Sequence, residues 1–172
     1  PVMQAVISQK IPVYSEIELA YLYDKGSIIA ITGTNGKTTT TSLVYEIVKA
    51  HDSDTLLVGN IEIPYTGLAL TSKEGGATVA EISSFQLETM ITFRPKVSAI
   101  LNITPDHLDR HKTMENYADI KKSIAKNQTK EDIVEGLLDK YQTKVDKKAL
   151  AKRLSSQKTA EEMLEVFKSY MQ

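Results

Sequence analysis

A short glycine-rich stretch, GTNGKT at residues 33–38, combines the residue types that bind phosphate groups. It follows an apolar run and precedes a helical pattern that starts near Lys37. In such a strand–loop–helix unit, backbone N–H groups and the helix dipole converge on an anion. Lys37 adds a positive charge for the terminal phosphates, and the Thr38 hydroxyl can coordinate Mg²⁺. The strict pattern G-x-x-x-x-G-K-[ST] fails because Ile31 stands at its first glycine, yet the shorter core predicts a phosphate loop rather than a merely structural turn.

Two further segments place polar side chains at the ends of apolar runs. Glu81 begins the polar part of AEISSFQLE, and a carboxylate at that edge of a parallel sheet is a natural second Mg²⁺ ligand. Without the phosphate loop, a solvated glutamate would be the better interpretation. The loop LNITPDHLDRH carries His107 and His111, four residues apart as in a helical zinc pair. The glutamate of H-E-x-x-H is absent, so a zinc hydrolase is a weakly supported alternative, and His51 and His111 are interpreted as structural or solvated.

The elements that must position these side chains alternate along the chain. Two helices precede residue 27, and the second carries a capping box of Ser15 and Glu18 and closes at Gly26. Apolar runs predict strands at 27–32, 55–60, 77–83 and 97–103, and helical patterns cover 37–49, 84–90 and 114–126. Strands that are apolar throughout, with helices between them, predict a parallel sheet covered by helices on both faces, which is an α/β fold of the P-loop type.

Composition limits the possible partners and surroundings. The chain has 172 residues, of which 41% are hydrophobic and 25% charged, enough for one packed domain with an appendage. A formal net charge of -1 gives no reason to expect nucleic acid or a membrane surface as the main partner. There is no cysteine, which excludes disulfides and thiolate metal sites and fits a reducing compartment. We therefore expect a cytoplasmic protein.

The character of the sequence changes near Thr129. All five prolines and seven of the eight glycines lie before it. The remainder is rich in charges, with leucines at helical spacing, and predicts three amphipathic helices that begin at Thr129, Asp146 and Thr159. Residues 130–172 are accordingly predicted to be a helical tail without chemistry, which packs on the sheet domain, self-associates or binds a partner.

Taken together, the motifs resemble those of the Mur ligases, ATP-dependent enzymes that build the peptide of bacterial cell-wall precursors. TGTNGKTT is shared across that superfamily. GN after the second apolar run, EISSFQLE and NITPDHLDRH…MENYADIK are narrower, and they resemble the branch that joins D-glutamate to UDP-N-acetylmuramoyl-L-alanine. The resemblance covers residues 1–129: residues 1–26 resemble a helical remnant of the junction with the first domain, and 27–129 resemble part of the central ATP-binding domain.

The resemblance implies a role for each matching position. Thr38 and Glu81 would bind a first Mg²⁺ and His107 a second. Lys121, four residues after Tyr117, would be carbamylated and so become a metal-binding carboxylate. Lys37, His107 and Lys121 would be the catalytic residues. The substrate would lie along Asn60, Ser83 and Ser84, and the ATP phosphate loop would consist of Gly33, Thr34, Asn35, Gly36, Lys37, Thr38 and Thr39.

The reaction that the resemblance implies is carboxylate activation. ATP would phosphorylate the terminal carboxylate of the alanyl substrate, and the amine of D-glutamate would attack the acyl phosphate. This chemistry asks the protein mainly to position its substrates and to neutralise charge.

Some features depart from the family. Glu62 replaces a glycine of GNIGIP, and Lys112 stands where relatives often have glycine. Family members are much longer, and their first and last domains are not recognisable in this chain. Two hypotheses therefore remain open: a ligase or a fragment of one, and a catalytically incomplete nucleotide-binding or interaction module.

Overall fold

Four parallel strands form the centre of the protein. The computed structural model describes residues 2–61 and 63–128, and within these ranges the sheet has the order β2-β3-β1-β4. Each neighbouring pair is parallel, with Glu81 opposite both Ile31 and Gly59, and Ile100 opposite Thr32. The predicted α/β fold with a parallel sheet is confirmed. The strands are β1 Ser27–Thr32, β2 Leu56–Gly59, β3 Ala77–Glu81 and β4 Val97–Ile100.

Helices connect and cover these strands. The long helix α3 follows β1 directly and contacts β1, β2 and β3. Short 3-10 turns extend two of the other helices, at Ala69–Thr71 and Ser123–Ala125. The helices are α1 Val2–Ser8, α2 Glu16–Tyr21, α3 Lys37–Lys49, α4 Tyr65–Leu68, α5 Ser84–Leu87, α6 Leu108–His111 and α7 Met114–Lys122.

The core lies against the central strands. All five residues of β3 are buried, so helices or loops cover both of its faces. On one face, small side chains at Ala30 and Ala80 leave room for larger ones, and Ile17, Phe93 and Ile124 fill that space. Burial of this apolar surface is the main contribution to the stability of the fold.

Several strands are shorter than their apolar runs predict, because polar side chains redirect the chain at the carboxyl edge. After β3, Ser83 begins α5 with a capping box: its Oγ accepts from the Gln86 N–H, while Gln86 Oε1 accepts from the Ser83 N–H. This helix start ends the strand at Glu81 rather than at residue 83. β4 likewise ends at Ile100, three residues early.

The capping box predicted for Ser15 and Glu18 forms only in part. Ser15 Oγ accepts from the Glu18 N–H at 3.1 Å, as expected, but the Glu18 carboxylate turns away from the helix start. It accepts instead from the backbone N–H groups of Ile91, Thr92 and Phe93, at 3.0, 2.6 and 3.1 Å, and from the Thr92 hydroxyl. The prediction of a reciprocal box was wrong because the three backbone amides of the loop at 91–93 and the Thr92 hydroxyl together provide more donors than the single N–H at the helix start.

The prediction that Gly26 closes α2 was also wrong. The helix ends at Tyr21, and Gly26 lies at the entry of β1, where its N–H donates to Asp24 Oδ1 at 2.6 Å. A Cβ at this position would approach the Gly76 carbonyl oxygen to 3.0 Å, so the glycine serves close packing between two chain segments.

The three helices predicted for the tail lie beyond residue 128, outside the described residues, and so do the contacts predicted for that tail. Within 2–61 and 63–128, no helix is both long enough and apolar enough to cross a membrane.

The Glu18 carboxylate generates a stability prediction. Burial raises its pKa, but the hydrogen bonds from the Thr92 hydroxyl and the three N–H groups outweigh burial, so the pKa lies below the ordinary value of 4.5. A lowered carboxyl pKa contributes stability above the unfolded-state pKa, and this is lost as pH falls through the folded-state pKa. We expect Glu18→Gln to lower the free energy of unfolding at neutral pH by about 2 kcal/mol, since an amide nitrogen would face donors.

Urea unfolding at about pH 7 and about pH 4 measures this effect, and the difference between wild type and variant should shrink at the lower pH. Glu74→Gln, at an exposed loop position, is the matched control and should leave stability within about 0.5 kcal/mol of wild type. A Glu18→Gln protein as stable as the control would contradict the assignment.

Candidate functional site

The phosphate loop joins β1 to α3 at the carboxyl edge of the sheet. Gly36 is the N-cap of α3 and has a φ of 80°, a left-handed conformation that favours glycine. Gly33 packs closely on the segment after β4, and a Cβ there would meet Leu101 Cβ at 3.1 Å. Both positions therefore favour glycine: Gly36 because of its backbone conformation, and Gly33 because of its close packing.

The loop is held by hydrogen bonds from the segment that follows β4. The side chain of Asn102 both accepts from the Asn35 N–H and donates to the Asn35 carbonyl, each at 2.9 Å. Thr34 Oγ1 accepts from the Thr104 N–H at 3.0 Å and lies 3.2 Å from the Tyr117 hydroxyl. Asn102, Thr104 and Tyr117 were not predicted from the sequence to support the loop. The position of Asn102 directly after a predicted strand was the one sequence signal for such a role.

The charged and hydroxyl side chains of the loop lie in the first turn of α3. Lys37 Nζ donates to the Thr34 carbonyl at 2.9 Å, so the ammonium folds back over the loop. Thr38 and Thr39 are exposed and accessible to a ligand. The structure thus places the Lys37 ammonium on the loop. The contacts of Lys37 with phosphate and of Thr38 with a metal stay predictions.

Glu81 is a buried carboxylate beside the loop. The residue is 1% exposed, and its Oε1 accepts from Asn60 Nδ2 at 2.9 Å. Its Oε2 is buried without a hydrogen-bond partner in the described part of the chain. Buried carboxylate oxygens are costly unless paired, so this free oxygen fits a cation. The structure brings Asn60 and Glu81 together, although sequence analysis had assigned them separate roles.

Gly59 makes the pairing of Asn60 with Glu81 possible. Its φ is 103°, and a Cβ would lie 2.2 Å from the Glu81 carbonyl oxygen, closer than real Cβ contacts allow. The Asn60 N–H donates to that same carbonyl at 2.8 Å. The GN pair after the second strand is therefore a steric requirement for placing the amide of Asn60 against the carboxylate.

Lys121 is buried against the phosphate loop. It is 1% exposed, its Nζ donates to the Gly33 carbonyl at 2.9 Å, and the ammonium lies 4.7 Å from the centre of the Tyr117 ring. Burial, followed by the positive charge of Lys37, lowers the pKa of Lys121 to about 8, against an opposing effect of Asp106. Its neighbour Lys122 is exposed and pairs with Asp119. Composition did not distinguish the two lysines, whereas burial does.

The two serines after Glu81 use their hydroxyls inside the protein. Ser83 caps α5, as described above, and Ser84 is buried with its Oγ 3.0 Å from His111 Nε2. Their predicted contact with a substrate stays a prediction. Glu62, which stands in place of a glycine of the family motif, lies outside the described residues.

His107 lies at the rim of the site in a left-handed backbone conformation. Its φ and ψ are 50° and 31°, a region that asparagine, aspartate and histidine adopt more often than other residues with a side chain. Its half-exposed ring contacts Asp106, with Nε2 at 3.5 Å from Oδ2, and Phe85, at 5.0 Å between ring centres. In the described part of the chain, no hydrogen bond or ion pair joins His107 to Glu81 or Lys121.

The histidine pair does not form a zinc site. His111 is buried and directed at Ser84, away from the rim where His107 lies. Among residues 2–61 and 63–128, no group of three or more His, Cys, Asp or Glu side chains could hold a metal ion. The oxygen atoms at this edge that a cation could contact are the unpaired Oε2 of Glu81 and the exposed hydroxyl of Thr38.

The combination of a parallel sheet, a supported glycine loop at its carboxyl edge and a buried carboxylate on the next strand is typical of phosphate-binding α/β domains. Comparison with known proteins narrows this class. The family model for the Mur ligase middle domain matches residues 31–167, most of the chain. The chain belongs to the Mur ligase middle domain family.

Two similar ligases agree with the family assignment. A UDP-N-acetylmuramoylalanine--D-glutamate ligase of Lachnospira eligens is 61% identical over 144 residues, which are 83% of this chain and 32% of the relative. A protein of the same name from Lachnoclostridium phytofermentans is 61% identical over 125 residues, 73% of this chain and 28% of the relative. The crystal structure of MurF from Acinetobacter baumannii is similar at a TM-score of 0.45 and 20% identity, covering 69% of this chain and 26% of that one.

The extent of these matches bears on the domain boundaries. The chain spans about a third of the length of these two ligases. The family match continues to residue 167, past Thr129, where sequence analysis ended the middle domain. Residues 129–172 are outside the described structure, so the boundary at 129 and the helical tail stay predictions.

The conformation of Lys112 generates a prediction for this site. This residue follows α6 with a φ of 70° and ψ of −47°, which glycine adopts without strain, and this agrees with the glycine expected there from the resemblance. We expect Lys112→Gly to raise the free energy of unfolding by about 1 kcal/mol, measured by urea denaturation.

Lys112→Ala is the matched control, because it removes the hydrogen bond from Nζ to the Asp109 carbonyl and keeps the Cβ. The alanine variant should be no more stable than wild type. Equal stability of the glycine and alanine variants would show that position 112 is not strained.

Proposed function

We propose that this chain provides the ATP phosphate site of a ligase that joins D-glutamate to UDP-N-acetylmuramoyl-L-alanine during synthesis of peptidoglycan precursors in the cytoplasm. The membership in the Mur ligase middle domain family and the names of the similar ligases support the reaction class. The observation that carries the proposal is the buried Glu81 carboxylate, with one oxygen held by Asn60 and the other free, beside a preformed phosphate loop.

The proposed reaction proceeds in two steps. The terminal carboxylate of the alanyl substrate attacks the γ-phosphorus of ATP, the bond to the bridging oxygen breaks, and ADP leaves. The amine of D-glutamate then attacks the acyl phosphate carbon, an amide bond forms, and phosphate and a proton are released. Both steps involve several negative charges in a small space, so charge neutralisation and alignment are the main tasks of the protein.

The residues of the phosphate loop suit the first of these tasks. The N–H groups of the first turn of α3 have no acceptor within the helix and can reach phosphate oxygens. Those of Thr34 and Asn35 already donate to Asn102 and hold the loop in place.

In the proposed complex Lys37 exchanges its bond to the Thr34 carbonyl for a phosphate oxygen. Thr38 and Glu81 are the residues that would hold Mg²⁺, with His107 assigned to a second ion. When bound, Mg²⁺ supplies further neutralisation of the phosphate charge.

Lys121 has the environment of a lysine that reacts with carbon dioxide. A neutral amine is the nucleophile that forms a carbamate, and burial favours the neutral form. Carbamylation replaces the positive charge with a negative one, which would suit a metal ion next to Glu81. This assignment follows from the family resemblance, and the burial of Lys121 against Gly33 supports it.

The first prediction concerns nucleotide binding by the chain itself. We expect Mg²⁺-ATP to bind with measurable heat in a calorimetric titration, and Lys37→Ala to weaken that binding by about 10- to 100-fold through loss of a charge-assisted hydrogen bond. Lys49→Ala, at the far end of the same helix, is the matched control and should bind like wild type.

Absence of Mg²⁺-ATP binding to wild type would reject the phosphate-site assignment. Equal affinity of the Lys37→Ala and Lys49→Ala variants would reject the role of Lys37. The complete ligation is tested by supplying the remaining domains from one of the similar ligases and measuring phosphate release that requires both D-glutamate and the alanyl substrate.

The second prediction concerns carbamylation. In ¹³C-labelled bicarbonate, we expect one carbamate carbonyl resonance by NMR, stronger at about pH 8.5 than at about pH 7 because more of Lys121 is neutral. Lys121→Gln should remove this resonance and Lys122→Gln should leave it. A resonance that survives Lys121→Gln, or none at either pH, would contradict the assignment.

A further inference from the structure

The imidazole of His111 is a fully buried polar group that the proposed function leaves without a role. Its side chain has no exposed surface. His111 is the last residue of α6. It contacts Ser84 and Phe85 of α5, Glu88 at the C-cap of that helix, and Tyr117 of α7. One side chain therefore connects three short elements at the carboxyl edge of the sheet.

The polar contacts of His111 indicate which nitrogen carries the proton. Nδ1 lies 3.2 Å from Glu88 Oε1, in a geometry that does not make a full hydrogen bond, and Nε2 lies 3.0 Å from Ser84 Oγ. An ionised carboxylate can only accept, so it favours a proton on Nδ1 and leaves Nε2 to accept from the serine hydroxyl. Arg110 donates to both carboxylate oxygens of Glu88 and keeps that group in place.

The ring contacts of His111 lead towards the phosphate loop. The imidazole is stacked on Phe85, with ring centres 5.4 Å apart and planes at 22°, and it meets Tyr117 at 5.2 Å and 32°. The Tyr117 hydroxyl lies 3.2 Å from Thr34 Oγ1, and its ring lies under the ammonium of Lys121. Two contacts thus separate His111 from the loop, and one hydrogen bond separates it from the start of α5.

We infer that His111 is a positioning residue that couples α5 to the phosphate loop, through its hydrogen bond with Ser84 on one side and its contact with the Tyr117 ring on the other. A purely apolar ring at this position would fill the space but leave the buried Ser84 hydroxyl without its partner. The expected consequence for nucleotide binding rests on the proposed function. The coupling itself is a property of the free protein.

Amide hydrogen exchange in the free chain tests the coupling. The reporters are the N–H groups of Thr34 and Asn35, which donate to the backbone and side chain of Asn102. We expect Ser84→Ala, His111→Phe and Tyr117→Phe each to accelerate exchange at these two amides by about tenfold, the equivalent of one lost hydrogen bond. The Leu101 N–H, which donates to Thr32 in the sheet, is the internal reference and should keep its rate.

The double variant Ser84→Ala with Tyr117→Phe separates coupling from general loosening. If His111 links the two residues in series, the double variant exchanges no faster than either single variant. The Nε2 resonance of His111 should shift in Ser84→Ala, and the ring resonances of Tyr117 should shift as well. In a His111→Phe background, Ser84→Ala should leave the Tyr117 resonances unchanged.

The matched control is His51→Phe, an exposed histidine just beyond the distant end of α3, which should exchange like wild type at Thr34 and Asn35. A folded His111→Phe protein with wild-type exchange at both reporters would overturn the inference. A double variant whose exchange rate rises by the product of the two single-variant increases would also overturn the inference. Should His111→Phe fail to fold, the single and double variants at Ser84 and Tyr117 still decide between these outcomes.

Mg²⁺-ATP titration distinguishes this inference from the proposed function. If wild type binds the nucleotide, the Ser84→Ala and Tyr117→Phe variants should bind it about tenfold more weakly, in parallel with their loop exchange. If wild type does not bind, the proposed function fails while exchange in the free protein still judges the coupling. Binding by wild type together with unchanged exchange in the variants would reject the coupling alone.

Discussion

The two hydrogen bonds between the side chain of Asn102 and the backbone of Asn35 are the interaction on which the site depends. They join the phosphate loop after β1 to the segment after β4, so two strand ends that are adjacent in the sheet act as one unit. A glycine-rich loop without such support would lose much conformational entropy on binding a ligand. Because the loop is already held, the N–H groups at the start of α3 have a fixed position in the free protein.

Charge is distributed around this loop in a way that favours an anion and a cation together. Two lysines from different helices, Lys37 in α3 and Lys121 in α7, contact the loop. The ammonium group of each donates a hydrogen bond to a backbone carbonyl of the loop. The buried carboxylate of Glu81 lies one strand away with a free oxygen. Burial of the unpaired carboxylate oxygen costs free energy, and the two neighbouring ammonium groups repel each other. A cation beside the oxygen and an anion between the lysines would offset these two costs.

Much of the fold could be predicted from the sequence because its signals are local. The apolar runs and the glycine loop placed all four strands and α3, whose bounds at 37–49 agree with the structure. What the sequence did not predict depended on contacts between residues distant in sequence. The carboxylate of Glu18 binds a loop more than seventy residues away, and the hydrogen bond from Asn60 to Glu81 requires two strand ends to meet. Patterns of neighbouring residues do not encode contacts of this kind. The burial that distinguishes Lys121 from Lys122 also depends on the tertiary structure.

The contact between Glu18 and the loop at 91–93 also sets a limit on how the domain can be divided. Its three acceptor bonds satisfy amides that belong to the segment leading into β4, whereas Glu18 itself precedes β1. A fragment that begins at the first strand would keep every strand and the whole phosphate loop, yet it would leave those three amides without the acceptor that Glu18 provides. A division of the domain that keeps this contact therefore starts upstream of the sheet, at or before the cap residue Ser15, even though the nucleotide motif begins only at Gly33.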